Sequence, residues 1–401
     1  MKHIILFEES NTIERLNPLI LMRPLAELRV GLYTVIEKWQ KLLPGNKFYI
    51  QTREYLQKQL DDKIDPKNCP ENTEKIWINS QVLPNIKISR SVLELKNNEQ
   101  IYHMGRLVAT TSNSLVPYLF NQSTESVPDN PGVKWINYPW DMVEINGEAI
   151  RDDLPLARKD KIFINPLRLD KNWINPEEIY VDKNAQVYPS VVINAEKGPV
   201  IIDADCAIFP FTYIEGPAYI GNNATLKAHT KIYGDTTIGP VCKVAGEISN
   251  SILHSYVNKQ HEGFLGSSYL SPWVNLGADT NISNLKNNYS SIRVAINNEP
   301  IDTGLTFAGL YAGDHAKSGI NTMFNTGTVL GCFANIFGGD YPDKFIPSFA
   351  WGSTSPYSTY DLEKAIATAK IVVARRGLTV SPADENLIRH IFKITEDIRN
   401  G

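Results

Sequence analysis

The sequence predicts an α/β domain at the N-terminus, then a parallel β-helix built from six-residue repeats, then C-terminal helices. The main observation is a run of branched aliphatic residues spaced six apart, a period that neither an α-helix nor a lone amphipathic strand produces. Such a period is typical of a β-helix in which three short strands form each coil. Strand-like and helix-like segments alternate before the run, and helical spacing of apolar residues follows it. The run consists of Ile202, Ile208, Ile214, Ile220, Leu226, Ile232, Ile238 and Val244.

Length and composition indicate a soluble globular protein of two or more domains. The chain has 401 residues, of which 42% are hydrophobic and 21% are charged, and a single domain rarely reaches that length. The net charge of −4 gives no reason to expect nucleic acid as a partner. No segment approaches the roughly 18 apolar residues of a membrane span, and the apolar run at the N-terminus is too short for a signal peptide. We therefore expect a cytoplasmic protein without a membrane or nucleic-acid partner.

The cysteines favour free thiols in a reducing compartment. They lie far apart in the sequence and form no Cys-x-x-Cys pair, which argues against a zinc site. The four residues are Cys69, Cys206, Cys242 and Cys332.

Residues 1–175 alternate between the two kinds of secondary structure. Apolar runs at 4–7, 47–51 and 76–79 predict buried strands, and helix-like stretches over 34–43 and 53–60 lie between them. This alternation predicts a sheet covered by helices.

The six-residue rhythm extends through residues 176–345. It starts at Val181, and a two-residue slip after Val244 moves the inward register to Ile252. In that count Asn258 takes an inward slot, which predicts a distorted coil. The rhythm fades after Ile282 and returns at Ala312, and the later inward positions are Phe264, Leu270, Leu276, Ile282, Ala312, Ser318, Phe324, Leu330 and Ile336.

Residues 346–401 change to a helical pattern. Apolar residues at helical spacing predict a helix over 360–376, and Gly377 follows at the position of a C-cap. A last helix begins after Ser381 as the N-cap, with Pro382 at its first position. We expect these helices to cover an end or flank of the β-helix, whose exposed edges would otherwise invite pairing.

Three segments that the repeat does not require carry a specific resemblance. They read His-Glu-Gly-Phe-Leu-Gly from residue 261, Asn-Leu-Gly-Ala-Asp-Thr from 275 and Asn-Leu-Lys-Asn-Asn-Tyr from 284. With them the chain resembles the bifunctional N-acetylglucosamine-1-phosphate uridylyltransferase / glucosamine-1-phosphate N-acetyltransferase family, and more closely a divergent bacterial branch that shares the segment at 313–328. The match covers residues 240–352. It implies a nucleotidyltransferase-like N-terminal domain and a left-handed β-helix.

The resemblance implies acetyl transfer from acetyl-CoA to an amino-sugar 1-phosphate. It assigns the general base to His261, and a histidine suits this role because the attacking amine must lose a proton. It places Asn284 near the sugar and the acetyl group, and Asn275 on the substrate. It places the backbone of Ala278, with Gly277 beside it, on acetyl-CoA. Backbone N–H groups of a coil are also suitable donors to a tetrahedral intermediate.

The chain departs from the family at positions that bear on the substrate. Leu285 and Phe264 replace tyrosines, Asp279 replaces a glycine, and Ser249 stands where a basic residue for the sugar phosphate is expected. The identity of the sugar therefore stays open. Other basic residues would supply that charge, each with an ordinary solvated role as its alternative, and they are Lys243, Lys259, Lys286 and Arg293.

The N-terminal domain also departs from the family pattern. The glycine-rich loop that holds a nucleoside triphosphate is absent, and Leu25 replaces a lysine. Arg23 and Arg29 are candidates for phosphate contacts, with a purely structural role as the equal alternative. Mg²⁺ is expected only if this domain is an active nucleotidyltransferase.

Three functions follow from these observations. The first is a two-domain enzyme of sugar-nucleotide synthesis that acetylates on its β-helix. The second is a nucleotidylyltransferase that uses the β-helix as a trimerisation scaffold, and the third is a non-catalytic protein that binds a sugar nucleotide. The resemblance implies a homotrimer with acyl sites between subunits. The three-histidine zinc set of γ-type carbonic anhydrases is not matched, since His254 and His261 lie seven apart.

Overall fold

A computed structural model describes residues 1–10, 12–70, 73–111, 126–127, 132–161, 163–164 and 172–400. The chain forms two compact units. The N-terminal unit contains Met1–Glu14, Arg23–Leu28 and Tyr33–Asn137, and the β-helix unit contains Arg15–Met22, Arg29–Leu32 and Tyr138–Gly401. The sequence-based domain limits at 175 and 345 stay a prediction.

The N-terminal unit is built on a six-stranded mixed sheet. Its three predicted strands are confirmed and lie side by side in parallel, with His3–Phe7 between Lys47–Gln51 and Lys75–Asn79. Arg106–Thr111 and Gln100–His103 add antiparallel pairs at one side, and Ser126–Val127 then pairs in parallel with Gln100–His103. In spatial order the strands are Lys47–Gln51, His3–Phe7, Lys75–Asn79, Arg106–Thr111, Gln100–His103 and Ser126–Val127.

Short helices accompany this sheet. The predicted first helix is present as Val35–Leu42, and a capping box between Thr34 and Glu37 caps its N-terminus. The predicted second helix is only Glu54–Gln57, because the Gln59 N–H donates to the Leu56 carbonyl (2.8 Å) and tightens the turn. Further elements of this unit are the helix Ile86–Glu94, the 3₁₀ turns Leu25–Glu27 and Pro66–Asn68, and the strands Tyr33–Thr34, Val82–Leu83 and Lys134–Trp135. The 3₁₀ turn Ile13–Leu16 lies where the chain passes from one unit to the other, and the strand Arg29–Val30 belongs to the β-helix unit.

The β-helix unit contains three parallel sheets, here called faces A, B and C. Face A consists of Ile179–Asp182, Val200–Ile202, Ala218–Ile220, Thr236–Ile238, Ile252–Leu253, Tyr269–Leu270, Leu310–Ala312, Thr328–Leu330 and Phe345–Ile346, with Phe163–Ile164 antiparallel at its edge. Face B consists of Trp173–Ile174, Val192–Asn194, Tyr213–Glu215, Lys231–Ile232, Glu247–Ser249 and Phe264–Gly266, and Asn281–Ile282 with Met323–Phe324 form a separate pair after it. Face C consists of Gln186–Val187, Ala207–Ile208, Thr225–Leu226, Lys243–Val244 and Asn258–Lys259, and then of Lys317–Ser318, Asn335–Ile336 and Ala350–Gly352 with Ser358–Thr359 antiparallel.

The interior of the coils is the predicted aliphatic column. All eight residues of the unbroken run are fully buried in one core. After Val244 the next inward residue is Ile248, and the register continues one residue later than predicted. Between Val244 and Ile248 the corner turns at Gly246, whose φ is +79°. The spacing between these two inward residues is shorter than the usual six, and this moves the strand register. The inward positions are therefore Leu253, Lys259 and Leu265, and the predictions of Ile252, Asn258 and Phe264 were wrong.

Parallel pairing continues to Gly352. The rhythm fades where the chain inserts an antiparallel hairpin, Arg293–Ile296 with Glu299–Asp302. It resumes with Ala312, Ser318, Phe324, Leu330 and Ile336, all of which are buried as predicted.

Face A is buried on both sides. The helices Pro139–Glu144 and Asn146–Asp160 pack on it. Its outward residues are therefore also buried, as Ile252 and Tyr269 show. This covering explains why face A reads as nearly continuous apolar sequence.

Three helices end the chain, at Leu362–Ala374, Pro382–Ile394 and Glu396–Asn400. Ser381 forms the predicted N-cap through a capping box with Asp384, and Gly377 has the expected positive φ of 72°. Phe392 packs edge-on against Phe349 of a late coil (ring centroids 4.9 Å apart), so the last long helix covers that corner. None of the helices in the described part of the chain combines the length and apolar composition needed to cross a membrane. The four cysteines are buried free thiols.

Candidate functional site

The corner between faces C and B places His261 and Ala278 on consecutive coils. The Asp279 N–H donates to the Glu262 carbonyl (3.1 Å), which stacks one corner on the next. A Cβ at Gly263 would lie 2.2 Å from the Thr280 carbonyl oxygen, so this close stacking requires glycine. The His261 side chain is exposed at the corner. The structure thus brings the predicted base and the predicted acyl-donor contact together.

Asn284 lies one coil beyond Ser267 on the face B side. Its Nδ2 donates to the Ser267 hydroxyl (3.3 Å), and its carbonyl accepts from the Ala308 N–H (3.0 Å). A Cβ at Gly266 would lie 2.5 Å from Asn284 Nδ2 and 2.6 Å from Phe264 Cζ. Asn284 and Phe264 therefore flank a glycine that leaves room for both side chains. The amide is held in place on the same two coils as His261 and Ala278, at the other end of face B.

The two backbone groups assigned to acetyl-CoA differ in their hydrogen bonds. The Gly277 N–H donates to the Ser318 hydroxyl (3.0 Å). Within the described residues, the Ala278 N–H has no hydrogen-bond acceptor, and the residue is half-buried. A Cβ at Gly277 would lie 2.3 Å from the Gly319 carbonyl oxygen. Gly277 therefore serves coil stacking, and Ala278 offers the N–H that a ligand carbonyl needs.

Lys259 lies inside the β-helix, in line with Val244. Its ammonium donates to the carbonyls of Gly263 (2.7 Å), Ala245 (3.0 Å) and His261 (3.1 Å). Burial lowers the pKa of Lys259 to about 8, although the nearby carboxylates of Glu262 and Asp279 favour its charged form. This ammonium donates to the backbone beneath His261, and the role of Lys259 in substrate binding stays a prediction.

Lys286 holds its own loop. Its ammonium donates to the Ser291 carbonyl and, at 3.4 Å, to the Ser290 hydroxyl. Arg293 is exposed on the inserted hairpin. Among the described residues, neither Lys286 nor Arg293 has a hydrogen bond to the corner that carries His261.

Lys243 and Asn275 line a cavity of about 340 Å³ between face C and the end of the helix Leu362–Ala374. The two residues were predicted to bind substrate, and the structure brings them together. Sequence reasoning missed the other cations of this cavity, although the pair Arg375-Arg376 just before Gly377 was a visible signal. The lining residues are Lys243, Tyr256, Asn258, Gln260, Trp273, Asn275, Lys317, Val372, Arg375 and Arg376.

The two N-terminal arginine candidates lie in different units. Arg29 is buried in the β-helix unit, where its guanidinium donates to the Leu32 carbonyl and its N–H donates to the Tyr269 hydroxyl (3.0 Å). The structural alternative is therefore the one observed for Arg29. The Arg23 carbonyl accepts from Arg53 Nη2 (2.9 Å) in the N-terminal unit.

Carboxylate–arginine pairs occupy the carboxyl end of the central parallel strand, His3–Phe7. Glu8 accepts from Arg53 Nε (3.0 Å) and from the Leu25 N–H (2.8 Å). Glu9 accepts from Arg106 Nη2 (2.7 Å), and the Arg106 guanidinium lies over the Trp135 ring at 3.9 Å. Sequence reasoning missed these pairs. No group of three or more His, Cys, Asp or Glu side chains suited to a metal ion occurs among the described residues.

Comparison with known proteins gives matches to both halves. Residues 4–162 match the family model for sugar nucleotidyl transferases. A bifunctional sugar-1-phosphate nucleotidylyltransferase/acetyltransferase of Sulfurisphaera tokodaii is 32% identical over 149 residues, which are 36% of this chain and 36% of that protein. The bifunctional protein GlmU of Synechococcus elongatus is 24% identical over 297 residues, covering 67% of this chain and 55% of that protein.

Two further similarities are weaker. An uncharacterized acetyltransferase, YaiX, of Escherichia coli O6:K15:H31 is 26% identical over 151 residues, covering 37% of this chain and 66% of that protein. A solved UDP-N-acetylglucosamine acyltransferase of Arabidopsis is 14% identical, covers 54% of this chain and 90% of that chain, and has a TM-score of 0.17, too low to carry a structural argument. The matched regions span between about a third and just over a half of the first two relatives.

Proposed function

Because the chain resembles the bifunctional sugar-1-phosphate nucleotidylyltransferase/acetyltransferases, we propose that its β-helix transfers an acetyl group from acetyl-CoA to an amino-sugar 1-phosphate. The observation that carries this proposal is the position of His261 and Ala278 on consecutive coils at one corner, with Asn284 anchored at Ser267 at the other end of face B.

The three residues suit the steps of an acyl transfer. The amine nitrogen attacks the thioester carbon as the His261 imidazole takes its proton. The Ala278 N–H donates to the carbonyl oxygen, which gains negative charge in the tetrahedral intermediate. When the intermediate collapses, the C–S bond breaks and the proton passes to the departing thiolate, giving the amide and free CoA. Asn284, whose amide is anchored at Ser267, orients the acceptor.

The proposal includes a homotrimer with the acyl site between subunits. His261 is exposed in the single chain, and a neighbouring subunit would cover it and exclude water from the reaction. Light scattering on the purified protein should give three times the chain mass of 45.0 kDa. A stable dimer, whose interface is isologous, would contradict this site geometry.

The test of acetyl transfer measures thiol release from acetyl-CoA with glucosamine-1-phosphate. His261→Ala should lower kcat by at least about 100-fold, since general-base catalysis contributes about 10²–10⁴. The matched control is His229→Ala, an exposed histidine that stacks on Phe211 at another corner, and it should keep the wild-type rate. A wild type without activity on a panel of amino-sugar phosphates would refute the proposal.

A second candidate is nucleotidyl transfer by the N-terminal unit, favoured by the family match over residues 4–162. Among the described residues, no three His, Cys, Asp or Glu side chains are grouped to hold a metal ion, and both Glu8 and Glu9 pair with arginines. Pyrophosphate release from a nucleoside triphosphate and a sugar 1-phosphate, measured with and without Mg²⁺, tests it. Mg²⁺-dependent release that His261→Ala leaves unchanged would establish it as a separate activity.

A further inference from the structure

The cavity beside face C gathers positive charge from two distant parts of the chain. Lys243 and Lys317 lie on face C, where Asn258 and Asn275 connect their strands through a row of bridges. Arg375 and Arg376 come from the end of the helix Leu362–Ala374. Four cations thus converge, and no carboxylate is found among the described residues that line the cavity.

Only neutral acceptors satisfy these cations within the described residues. The Lys317 ammonium donates to the His315 carbonyl (2.7 Å), and Arg376 Nη2 donates to Asn258 Oδ1 (2.7 Å). Burial lowers the pKa of Lys317 to about 8. Burial, together with Arg376, Lys227 and Arg375, also lowers the pKa of Lys243. The fold therefore holds like charges together at a cost that a bound anion would offset.

The C-terminal end of a helix explains part of this arrangement but not all of it. Basic residues are commonly favoured there by the helix dipole, which accounts for Arg375 and Arg376. Lys243 and Lys317 lie on strands, where no dipole favours them. Their presence in the same cavity points to a shared ligand.

We propose that this cavity binds the phosphate monoester of a phosphorylated sugar. The cations neutralise the phosphate, and Arg375 and Arg376 offer guanidinium groups suited to paired hydrogen bonds with its oxygens. Tyr256 and Trp273, stacked with centroids 4.3 Å apart, offer an apolar ring surface, while Gln260 and Asn275 offer amides for hydroxyl groups. A volume of about 340 Å³ is within the range of small-ligand sites.

The assignment of the ligand rests on the proposed acetyl transfer to an amino-sugar 1-phosphate. Gln260 directly precedes His261, and Asn275 lies three residues before Ala278, so the cavity and the candidate site use the same two coils. Ser249 stands where a basic residue for the sugar phosphate is expected. In this proposal the positive charge comes instead from face C and a C-terminal helix. The proposal that the cavity binds an anion rests only on the geometry of the cavity and does not depend on acetyl transfer.

Calorimetric titration of the full-length protein with glucosamine-1-phosphate tests the site without relying on turnover. Arg375→Gln and Lys243→Gln remove charges whose side chains have no hydrogen bond to another described residue. Each should weaken binding at least about tenfold, the effect of about 1.4 kcal/mol. The matched control, Lys393→Gln on an exposed turn of the next helix, should bind as the wild type does. His261→Ala should also bind normally.

A parallel titration with adenosine 3′,5′-bisphosphate distinguishes the acceptor from the nucleotide end of acetyl-CoA. If the two substitutions weaken binding of this nucleotide and leave glucosamine-1-phosphate unaffected, the assignment to a sugar phosphate is overturned. Unchanged binding of both ligands in both variants would overturn the anion site, even if thiol release is robust. Weakened sugar-phosphate binding without any thiol release would keep the anion site and refute the acetyl transfer.

Discussion

Lys259 is a charged side chain in a column of aliphatic ones, and the free energy that its burial costs depends on pH. Its folded-state pKa of about 8 lies below the ordinary value of 10.5. Between these values the unfolded chain binds more protons, so the Lys259 contribution to stability should rise with pH. The shift corresponds to about 3 kcal/mol at most.

The difference between wild type and Lys259→Met should reveal this contribution. Urea unfolding at pH 7.5 and at pH 10 should show the wild type gaining stability relative to the variant by about 1–3 kcal/mol. Lys317 titrates over the same window in both proteins and cancels in the comparison. Parallel pH profiles would show that burial does not depress the Lys259 pKa.

Gly266 offers a test of the Asn284 position. Gly266→Ala would place a Cβ 2.5 Å from Asn284 Nδ2 and 2.6 Å from Phe264 Cζ, which forces one of the side chains to move. We expect kcat for acetyl transfer to fall about tenfold or more, because the acceptor loses its orientation. Gly339→Ala, where a Cβ meets nothing within 4 Å, is the control. An unchanged kcat in Gly266→Ala would separate Asn284 from catalysis.

The sequence predicts single inward residues well only where the spacing is regular. Each residue of the run up to Val244 is buried as expected, because six residues per strand and corner fix which side chain points inward. The register moves by one residue after Gly246, and nothing in a hydrophobic pattern marks a shortened corner. The sequence does not predict an inward Lys259, because an isolated lysine is rarely found inside a core.

At the scale of elements, the capped helices were the most predictable. Ser381 accepts from the Asp384 N–H, and Asp384 reciprocates at the Ser381 N–H. Ser381→Ala should destabilise the β-helix unit by about 1 kcal/mol, measured by chemical denaturation. Thr379→Ala, an exposed change just outside the helix, should have no comparable effect. Equal stability of both variants would show that this helix frays without consequence for the unit.

The cavity beside face C was the least predictable part of the candidate site. Lys243 and Asn275 were identified through the charge requirement and the resemblance. Arg375 and Arg376 follow Lys243 by more than a hundred residues, and only the packing of a C-terminal helix on face C brings them near. A sequence pattern carries no information about such a distance.

At the scale of the whole molecule, two compact units with separate cores agree with the alternation of strands and helices followed by a six-residue rhythm. The helices Pro139–Glu144 and Asn146–Asp160 belong to the β-helix unit, where they cover face A. No sequence pattern predicts this packing, because the apolar face of a helix does not identify the element that it contacts. The same applies to Arg29, which lies next to Tyr269 of a distant coil.

The ammonium of Lys259 also affects which coils stack on one another when the β-helix folds. Coils with nearly identical aliphatic interiors can stack out of step, since each strand would still find an apolar partner. One coil differs, because its interior holds a cation that needs the carbonyls of Ala245, His261 and Gly263. A stack displaced by one coil would take the Ala245 carbonyl away from that cation, at a cost of about 1.5–3 kcal/mol, while His261 and Gly263 on the same coil would stay with it. We therefore expect Lys259 to favour the native register of the stacked coils, in the way that a single buried polar residue specifies the register of a coiled coil.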